Sequence, residues 1–446
     1  KMAHFFLLHI QYASNMEYAR RMKQVYERFP AHPDVSALYA ESMMNLRPWK
    51  LWPPKSSPMS TPIDARTLEI QRVLEAAIAS HSPHPGLAHF YVHLMELAPE
   101  ERMVAKAVPQ SNLLRSQWPA CGHLLHMASH IDMQFGDYER GIRCNWAGIQ
   151  QDKVYAALRG SNNYYHGYRI HNHHMLVWAA MFAGKFTLAM EVANEARRDT
   201  PPAMLDQYID WMEPYLSDIW MIMIRFGKWA EILERPFRDN KSSFPVWYAW
   251  DCYAKALAFS ALGKIVEAES AVAKFHDAVR RIPPTRYLHN VTCSQMFEIA
   301  SEVLAGELAY RQGHVDVAFA HLQKGVCLDD NLPYDEPWGW TVPVRHALGA
   351  LLCEAGGMER VEAAIQVYEE DLRKYPGNVW SLIGLNRCYK EKKLPFPARL
   401  SAALDIALSA CDDPENMRYS CFCAGQRANV DGGGAPCGCS LSSSSS

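Results

Sequence analysis

Apolar residues recur along this chain at the three-to-four-residue spacing of amphipathic α-helices. A clear case is the run that contains Phe186, Ala189, Val192, Ala193 and Ala196. Alternating β-branched stretches, which indicate strands, are nearly absent from the sequence. We therefore predict an all-α protein.

Five glycines each follow a largely apolar helical stretch, and a new amphipathic stretch begins two residues later. They are Gly136, Gly184, Gly227, Gly263 and Gly313. Glycine suits the left-handed residue that ends many helices. The intervals between these glycines are 48, 43, 36 and 50 residues, each longer than the roughly 34-residue tetratricopeptide unit. We predict a superhelical solenoid of tetratricopeptide-like helical hairpins with loops of variable length.

The pattern divides the chain into three predicted segments. These are histidine-rich repeats over 1–200, further repeats over 201–395, and a terminal segment over 396–446 with a disordered Gly/Ser-rich end. The last hairpin is expected from Gly357 to about Lys374, with a closing helix over 379–392. The first residues already have a helical pattern, so we expect the chain to be N-terminally incomplete.

Composition narrows the range of partners. The 446 residues include 45 Lys+Arg and 48 Asp+Glu, a formal net charge of -3, which argues against a broad nucleic-acid surface. No apolar run reaches the roughly 18 residues of a membrane span. We therefore expect neither nucleic acid nor membrane as a partner. The 12 cysteines are too few for a disulfide scaffold, so we expect a reducing, cytoplasmic setting.

Histidine is the most unusual component of the sequence. Eleven of its 19 histidines lie between His81 and His174. Three helical stretches carry them at spacings that place the rings on one helix face. These stripes are His89 and His93, then His123, His126 and His130, then His171 and His174.

Stripes on successive helices of a solenoid would converge if they face inward. Each buried neutral imidazole has one donor and one acceptor nitrogen to satisfy. A metal ion takes the acceptor nitrogens, while carboxylates or amides take the donors. The alternative is that each ring is solvated or hydrogen-bonded separately, and for His81, His84 and His173 that alternative is favoured.

Other groups could take part in the same chemistry. Glu96 lies three residues after His93 on the same face, and it is our first choice for a catalytic carboxylate, ligand or ligand partner. Asp132 and Asp152 are further candidates. The Cys421-Phe422-Cys423 unit could bind a soft metal through its thiolates or form a terminal disulfide.

At these motifs the chain resembles a family of bacterial proteins usually called only tetratricopeptide repeat proteins. The matching segments are Leu38–Trp49, His84 to His93, Gly122–Ile131, Tyr168–His174 and Ser420–Cys423. The resemblance implies a metal-binding solenoid. It implies as ligands His89, His93, His126, His130, His171 and His174, but no particular reaction.

Three functions follow as hypotheses. The first is a metal-dependent enzyme of oxidative or hydrolytic type, acting on a small molecule or peptide, with copper or zinc as cofactor because imidazole ligands suit these ions. The second is a peptide-binding scaffold that meets a protein partner through its repeats, with a structural metal or none. The third is metal storage or trafficking. Sequence motifs for nucleotide binding are absent.

Overall fold

The computed structural model describes residues 2–53, 60–236 and 243–425, with side chains from residue 11 onward. The first half of the chain contains α1 (Met2–Arg28), α2 (Pro33–Met44), α3 (Ala65–His81), α4 (Pro85–Met95), α5 (Glu101–Val104), α6 (Val108–Gln117), α7 (Gly122–Gln134), α8 (Tyr138–Arg159), α9 (His166–Phe182), α10 (Phe186–Asp199) and α11 (Pro202–Gln207). A short 3-10 turn, Ala105–Ala107, joins α5 to α6.

The second half continues in the same manner. It contains α12 (Ile209–Tyr215), α13 (Asp218–Arg225), α14 (Trp229–Glu234), α15 (Pro245–Ala261), α16 (Ile265–Arg280), β1 (Tyr287–Leu288), β2 (Val291–Thr292), α17 (Cys293–Arg311), α18 (Val315–Asp330), α19 (Val344–Ala355), α20 (Met358–Lys374), α21 (Val379–Glu391) and α22 (Ala398–Ala410). Strands β1 and β2 form one small antiparallel hairpin. The all-α, helical-hairpin prediction is confirmed for the residues described.

The five marker glycines have the predicted conformation. Each has a positive φ, between 62° and 84°. At each of them the following residue donates its N–H to a carbonyl five residues back, as Asp137 does to Asp132 at 2.9 Å. These are Schellman ends, which satisfy helix carbonyls that would otherwise lack partners and turn the chain into the next helix.

Consecutive helices pack side by side, which brings the histidine stripes together. Helix α7 contacts α4, α8 and α9, so it lies between the two other histidine-bearing helices. The hydrophobic core has a first cluster from Ala37 to Ile131 and a larger one from Met133 to Ala424. Core packing therefore changes near residue 132, whereas the predicted segment boundary at residue 200 stays a prediction.

The C-terminal part extends further than expected. Helix α20 matches the predicted last hairpin, but α21 is not the closing helix because α22 follows it. Pro395 and Pro397 stand between them, and proline interrupts a helix without preventing a new one from starting at the next position. The predicted disordered end, with Cys437 and Cys439, lies outside the described residues.

Gly136 provides a test of the turn geometry. A Cβ added there would lie 1.9 Å from the carbonyl oxygen of Pro376, in addition to the strain of φ +72°. We expect Gly136→Ala to destabilise the fold by at least about 2 kcal/mol more than Gly313→Ala, which has a similar φ but no atom within 4 Å of the added Cβ. Urea unfolding of both variants measures the difference. Equal midpoints would contradict the close approach of the Gly136 turn to Pro376.

Candidate metal centre

The inward faces of α4, α7 and α9 bring six histidine rings into one continuous cluster. Adjacent ring centroids lie 4.6 to 5.7 Å apart. Its members are His89, His93, His123, His126, His130 and His171. The convergence expected from the three stripes is therefore present in the structure. We call this group the histidine cluster.

His126, His130 and His171 form the tightest part of the cluster. One nitrogen of each ring lies within 4.8 Å of the others. His126 and His130 are fully buried and come from successive turns of α7, while His171 comes from α9. His171 forms no hydrogen bond with any residue in the described ranges.

We call His126, His130 and His171 the trio. Two groups outside it fix which nitrogen of His126 and of His130 carries a proton. Asn145 donates its Nδ2 to the Gly141 carbonyl and to Ser129, so its Oδ1 accepts from His126 Nδ1 at 2.6 Å. His130 Nδ1 donates to Glu96 Oε2 at 2.6 Å. Both rings therefore use Nδ1 as the donor, and in a neutral ring this leaves a lone pair on Nε2.

The two Nε2 atoms of His126 and His130 face each other at 2.9 Å. Two lone pairs at this distance repel unless a proton or a cation lies between them. Burial lowers the pKa of His126 well below its usual value, so that ring stays neutral near pH 7. A shared proton can satisfy this pair, whereas a metal ion would satisfy the pair and His171 together.

Glu96 accepts hydrogen bonds from two rings of the cluster. Its carboxylate accepts from His93 Nδ1 at 2.7 Å, from His130 Nδ1 and from the Tyr334 hydroxyl at 2.7 Å. Burial would raise its pKa, but the imidazoles of His130 and His93 outweigh burial and lower it. These contacts are typical of a carboxylate that orients metal-binding histidines, whereas a catalytic role for Glu96 stays a prediction.

His89, His93 and His123 form the other end of the cluster. His89 Nε2 lies 3.1 Å from His123 Nε2, and His123 Nδ1 is buried without a hydrogen-bond partner. Burial lowers the pKa of both His89 and His123 well below the usual range. For His93, burial acts in the same direction, but Glu336 and Glu96 outweigh it and raise its pKa to about 9.

Residues from the second half of the chain complete the site, and sequence analysis missed them. His289 lies at the tip of the β1–β2 hairpin with φ 47°, and its ring centroid is 5.9 Å from that of His171. Its Nδ1 donates to Asp335. Glu336 Oε1 accepts from Trp49 Nε1 at 2.6 Å and lies 3.7 Å from His93 Nδ1.

These additional residues had no helical periodicity to mark them. The stretch from Pro333 to Pro343 is rich in proline, a composition typical of a loop. It is anchored next to the site because Trp338 packs on Trp178 of α9, and the Trp178 indole donates to the Trp338 carbonyl at 3.2 Å. Only the folded packing brings this loop to the cluster.

Three carboxylates are buried around the rings without a Lys or Arg partner among the described residues. Glu96, Asp335 and Glu336 are each 5% exposed or less, and within the described residues their ion-pair partners are histidines alone, never Lys or Arg. Burial raises the pKa of both Asp335 and Glu336. These buried acids therefore depend on the histidines of the site for their polar contacts.

The structure does not bring His174 to the cluster. Its Nδ1 lies 2.7 Å from Asp218 Oδ2, and its ring packs edge-on against Tyr215. His173 donates to the Arg169 carbonyl and contacts Glu195. This agrees with the expectation that His173 is hydrogen-bonded separately from the other rings. His171 and His174 share one side of α9, but they lie on successive turns that face different neighbours.

Asp132 and Asp152 also lie outside the cluster. Asp132 forms a bidentate ion pair with Arg115, and both bonds are 3.0 Å. Asp152 accepts from Tyr165 at 2.9 Å and from Asn172 at 2.7 Å, which helps to fix α9 against α8. Both acids therefore already have partners elsewhere.

Cys421 and Cys423 are joined to each other by a disulfide. Their segment packs on the large core cluster, where Arg311 donates to the Cys423 carbonyl and Trp229 Nε1 donates to the Phe422 carbonyl at 3.3 Å. The disulfide form was one of the alternatives for this pair. In it neither sulfur is a thiolate, so metal binding at this pair stays a prediction for the reduced chain.

One side of the histidine cluster is open to solvent. His89, His93, His123 and His171 are half-buried, while His126 and His130 are buried. Tyr168, which is 39% exposed, packs edge-on against His123, and Trp49 packs edge-on against His289. Aromatic side chains therefore flank the solvent-facing side of the cluster.

Comparison with known proteins adds little to this picture. No family model and no curated protein matches the chain. One solved structure, described as Naa15/Naa10 bound to HypK-THB, aligns with 93% of this chain and 64% of that chain, at 14% identity and a TM-score of 0.32. The chain thus spans less than two thirds of that structure's chain. A TM-score of this size establishes no common fold, so the partners in that description carry no inference here.

None of the described helices combines enough length with enough apolar character to cross a bilayer.

The buried neutral rings predict how the metal-free protein responds to acid. His89, His123, His126 and His171 have lowered pKa values in the fold, whereas the unfolded chain protonates these rings near pH 6.5. Their contribution to stability is complete above about pH 6.5 and is lost as the pH falls, by up to about 1.4 kcal/mol per ring and pH unit. Urea unfolding at pH 7 and pH 5, with chelator present, measures this slope.

Two variants make that measurement specific to the cluster. The double variant His89→Gln/His171→Gln should flatten the slope, and His32→Gln, which changes an exposed residue outside the cluster, should leave it unchanged. His93 acts in the opposite direction, since its raised pKa of about 9 stabilises the fold at low pH and loses that effect as the pH rises towards 9. A slope unaffected by the double variant would argue against neutral buried rings.

Proposed function

We propose that this protein binds zinc or copper at the histidine cluster and uses the metal in an enzymatic reaction on a small molecule or peptide. The observation that carries the proposal is the pair of opposed Nε2 atoms of His126 and His130, with His171 beside them. His126 and His130 each have Nδ1 held by an outer group, which is how proteins present imidazoles to a metal. Imidazole ligands favour zinc and copper over magnesium or calcium.

Three protein ligands and an open solvent side suit catalysis better than a purely structural site. A bound ion of this kind supplies Lewis-acid polarisation of a substrate oxygen, or activation of water or dioxygen. The chain's own residues would orient the ligands through Glu96 and Asn145. Tyr168 and Trp49 would contact a substrate at the entrance. The choice between oxidation and hydrolysis depends on which metal the protein takes up in the cell, where we expect a cytoplasmic location.

The two other hypotheses have less support. For a peptide-binding scaffold, the residues from Met417 to Gly425 already cover part of the repeat surface, with Ser420 and Cys423 buried there. For metal storage, Met212, Met221 and Met223 are buried core residues. Methionines in such positions fill space between helices.

The proposal predicts stoichiometric metal that depends on the trio. We expect His126→Gln/His130→Gln to lose metal from this site, because Gln retains polarity but offers no imidazole nitrogen. The matched control is His173→Gln/His174→Gln, which alters two buried histidines of α9 that have other partners. Elemental analysis after dialysis against zinc or copper measures the content.

The control also tests whether His174 is a ligand, as the family resemblance implies, or lies outside the site, as it does in the structure. Metal lost from the His173→Gln/His174→Gln variant would return His174 to the ligand set. A wild-type protein that folds normally and retains no zinc or copper would refute the proposed function.

Glu96 gives a second test of the same proposal. Because its carboxylate holds the Nδ1 protons of His93 and His130, Glu96→Gln should weaken metal affinity by about 10- to 100-fold. Glu75→Gln is the matched control, since Glu75 of α3 accepts from the Tyr91 hydroxyl of α4 at 2.8 Å and does not contact the cluster. Competition with a colorimetric chelator measures both affinities. Unchanged affinity in Glu96→Gln would assign Glu96 a role other than orienting ligands.

A further inference from the structure

A continuous series of tyrosine rings leads from the histidine cluster to the protein surface. Tyr168 of α9 packs edge-on against His123, with ring centroids 4.8 Å apart. Tyr165 stacks on Tyr168 at 5.6 Å, and Tyr155 of α8 contacts Tyr165 at 4.8 Å. These spacings are typical of aromatic rings in direct contact. The series reaches the trio, because His123 also contacts His126 at 5.7 Å.

The series divides at Tyr168. A second branch leads to Tyr164, whose ring centroid lies 6.3 Å from that of Tyr168. Both branches end at the surface, since Tyr155 is 40% exposed and Tyr164 is 76% exposed. The outer rings are therefore accessible to a molecule from solution, while the inner end contacts the cluster. We call Tyr155, Tyr164, Tyr165 and Tyr168 the tyrosine path.

Within the described residues, Tyr165 is the member of the path that donates its hydroxyl to a carboxylate. The acceptor is Asp152 Oδ1 at 2.9 Å, and Asp152 is only 1% exposed. The other oxygen of Asp152 accepts from Asn172 at 2.7 Å, so both of these hydrogen bonds come from neutral donors. Burial raises the pKa of Asp152, which makes its carboxylate a stronger base than that of an ordinary aspartate.

This arrangement suits the one-electron oxidation of a phenol. A phenol that gives up an electron becomes strongly acidic, so a base must lie within hydrogen-bond distance of its hydroxyl to take the proton. Asp152 has that position relative to Tyr165. Burial and the Asp152 charge both raise the pKa of Tyr165, so the phenol keeps its proton until it is oxidised.

We propose that the tyrosine path carries electrons from phenolic reductants at the surface to the histidine cluster in its copper-loaded form, with Asp152 as the proton acceptor of Tyr165. This inference rests on the proposed function and selects its oxidative form, with a peroxide as the oxidant. Phenols suit the path because an aromatic reductant packs readily on exposed tyrosine rings.

The electron and proton transfers along the path balance. Tyr165 loses an electron towards the cluster and its proton to Asp152, which leaves a neutral tyrosyl radical. Tyr155 then supplies an electron to Tyr165, Asp152 returns the proton, and Tyr155 releases its own proton to water. A phenol from solution restores Tyr155 by giving it a hydrogen atom. Two such transfers reduce one hydrogen peroxide to two waters, and two phenols become phenoxyl radicals.

The test detects and locates tyrosyl radicals on the full chain. Metal-free protein is loaded with Cu(II), treated with hydrogen peroxide and frozen for electron paramagnetic resonance. A parallel sample is treated with a spin trap and mapped by peptide mass spectrometry. We expect a copper-dependent tyrosyl signal, with trap adducts at Tyr155 and Tyr164. The Zn(II)-loaded protein should give neither, because zinc has no redox chemistry.

The two branches make the variants specific. Tyr168→Phe should abolish both adducts, because both branches pass through this ring. Tyr165→Phe should abolish the adduct at Tyr155 and keep the adduct at Tyr164. Tyr389→Phe is the matched control, since this half-buried tyrosine lies on α21, which packs on α19, α20 and α22, and it should change neither adduct.

Asp152→Asn isolates the proton transfer. The amide oxygen still accepts a hydrogen bond from the Tyr165 hydroxyl but does not take its proton, so radical formation at Tyr155 should slow by about 100-fold. Rapid freeze-quench measures this rate, and elemental analysis checks that the copper is retained. An unchanged rate would contradict the role of Asp152.

The outcomes separate this inference from the proposed function. Bound copper without a tyrosyl signal, or adducts spread over tyrosines outside the path, refutes the tyrosine path and leaves the proposed function standing. Zinc bound by a wild type that takes up no copper has the same meaning. A wild type that holds neither metal refutes both. The wild-type adduct pattern is decisive by itself, so a variant that fails to fold leaves that result intact.

Discussion

The structure around the cluster depends on the contact between the Nε2 atoms of His126 and His130. Two buried imidazoles have their Nδ1 atoms committed outward, to Asn145 and Glu96, and their Nε2 atoms directed at each other. Such an arrangement costs free energy unless a proton or an ion lies between the rings. The surrounding helices hold it because Asn145, Ser129 and Gly141 fix one ring and Glu96 fixes the other.

That constraint explains why the site draws on distant parts of the chain. A carboxylate that holds two imidazoles needs its own support, which Tyr334 provides from a loop more than 200 residues later. The same loop brings Asp335 to His289 and Glu336 to Trp49. The repeats between α9 and that loop therefore serve the centre by returning the chain to it, and the hydrophobic packing of Trp338 on Trp178 fixes the place of return.

Much of the fold and about half of the site follow from local sequence patterns. The marker glycines predicted the hairpin turns, because a left-handed residue after an apolar helix has few other uses. The histidine spacing predicted which rings share a helix face, and α7 between α4 and α9 makes those faces meet. His174 was assigned with His171 because spacing gives the side of a helix but not the neighbour that covers each turn. His289 and the acids after Tyr334 lie in short irregular segments, whose position only tertiary packing determines.

The electrostatic balance of the centre also bears on its stability. Several neutral imidazoles and three carboxylates are buried where a folded chain gains most from apolar groups, so this region by itself weakens the fold. A bound cation would convert these costs into ligand bonds and ion pairs, and binding to the folded state alone stabilises that state. Apolar packing flanks the polar centre, since Leu94 and Ile131 belong to the first core cluster and Trp178 to the larger one. A solenoid suits this arrangement, because each added hairpin supplies hydrophobic contacts without changing the geometry of the three helices that carry the rings.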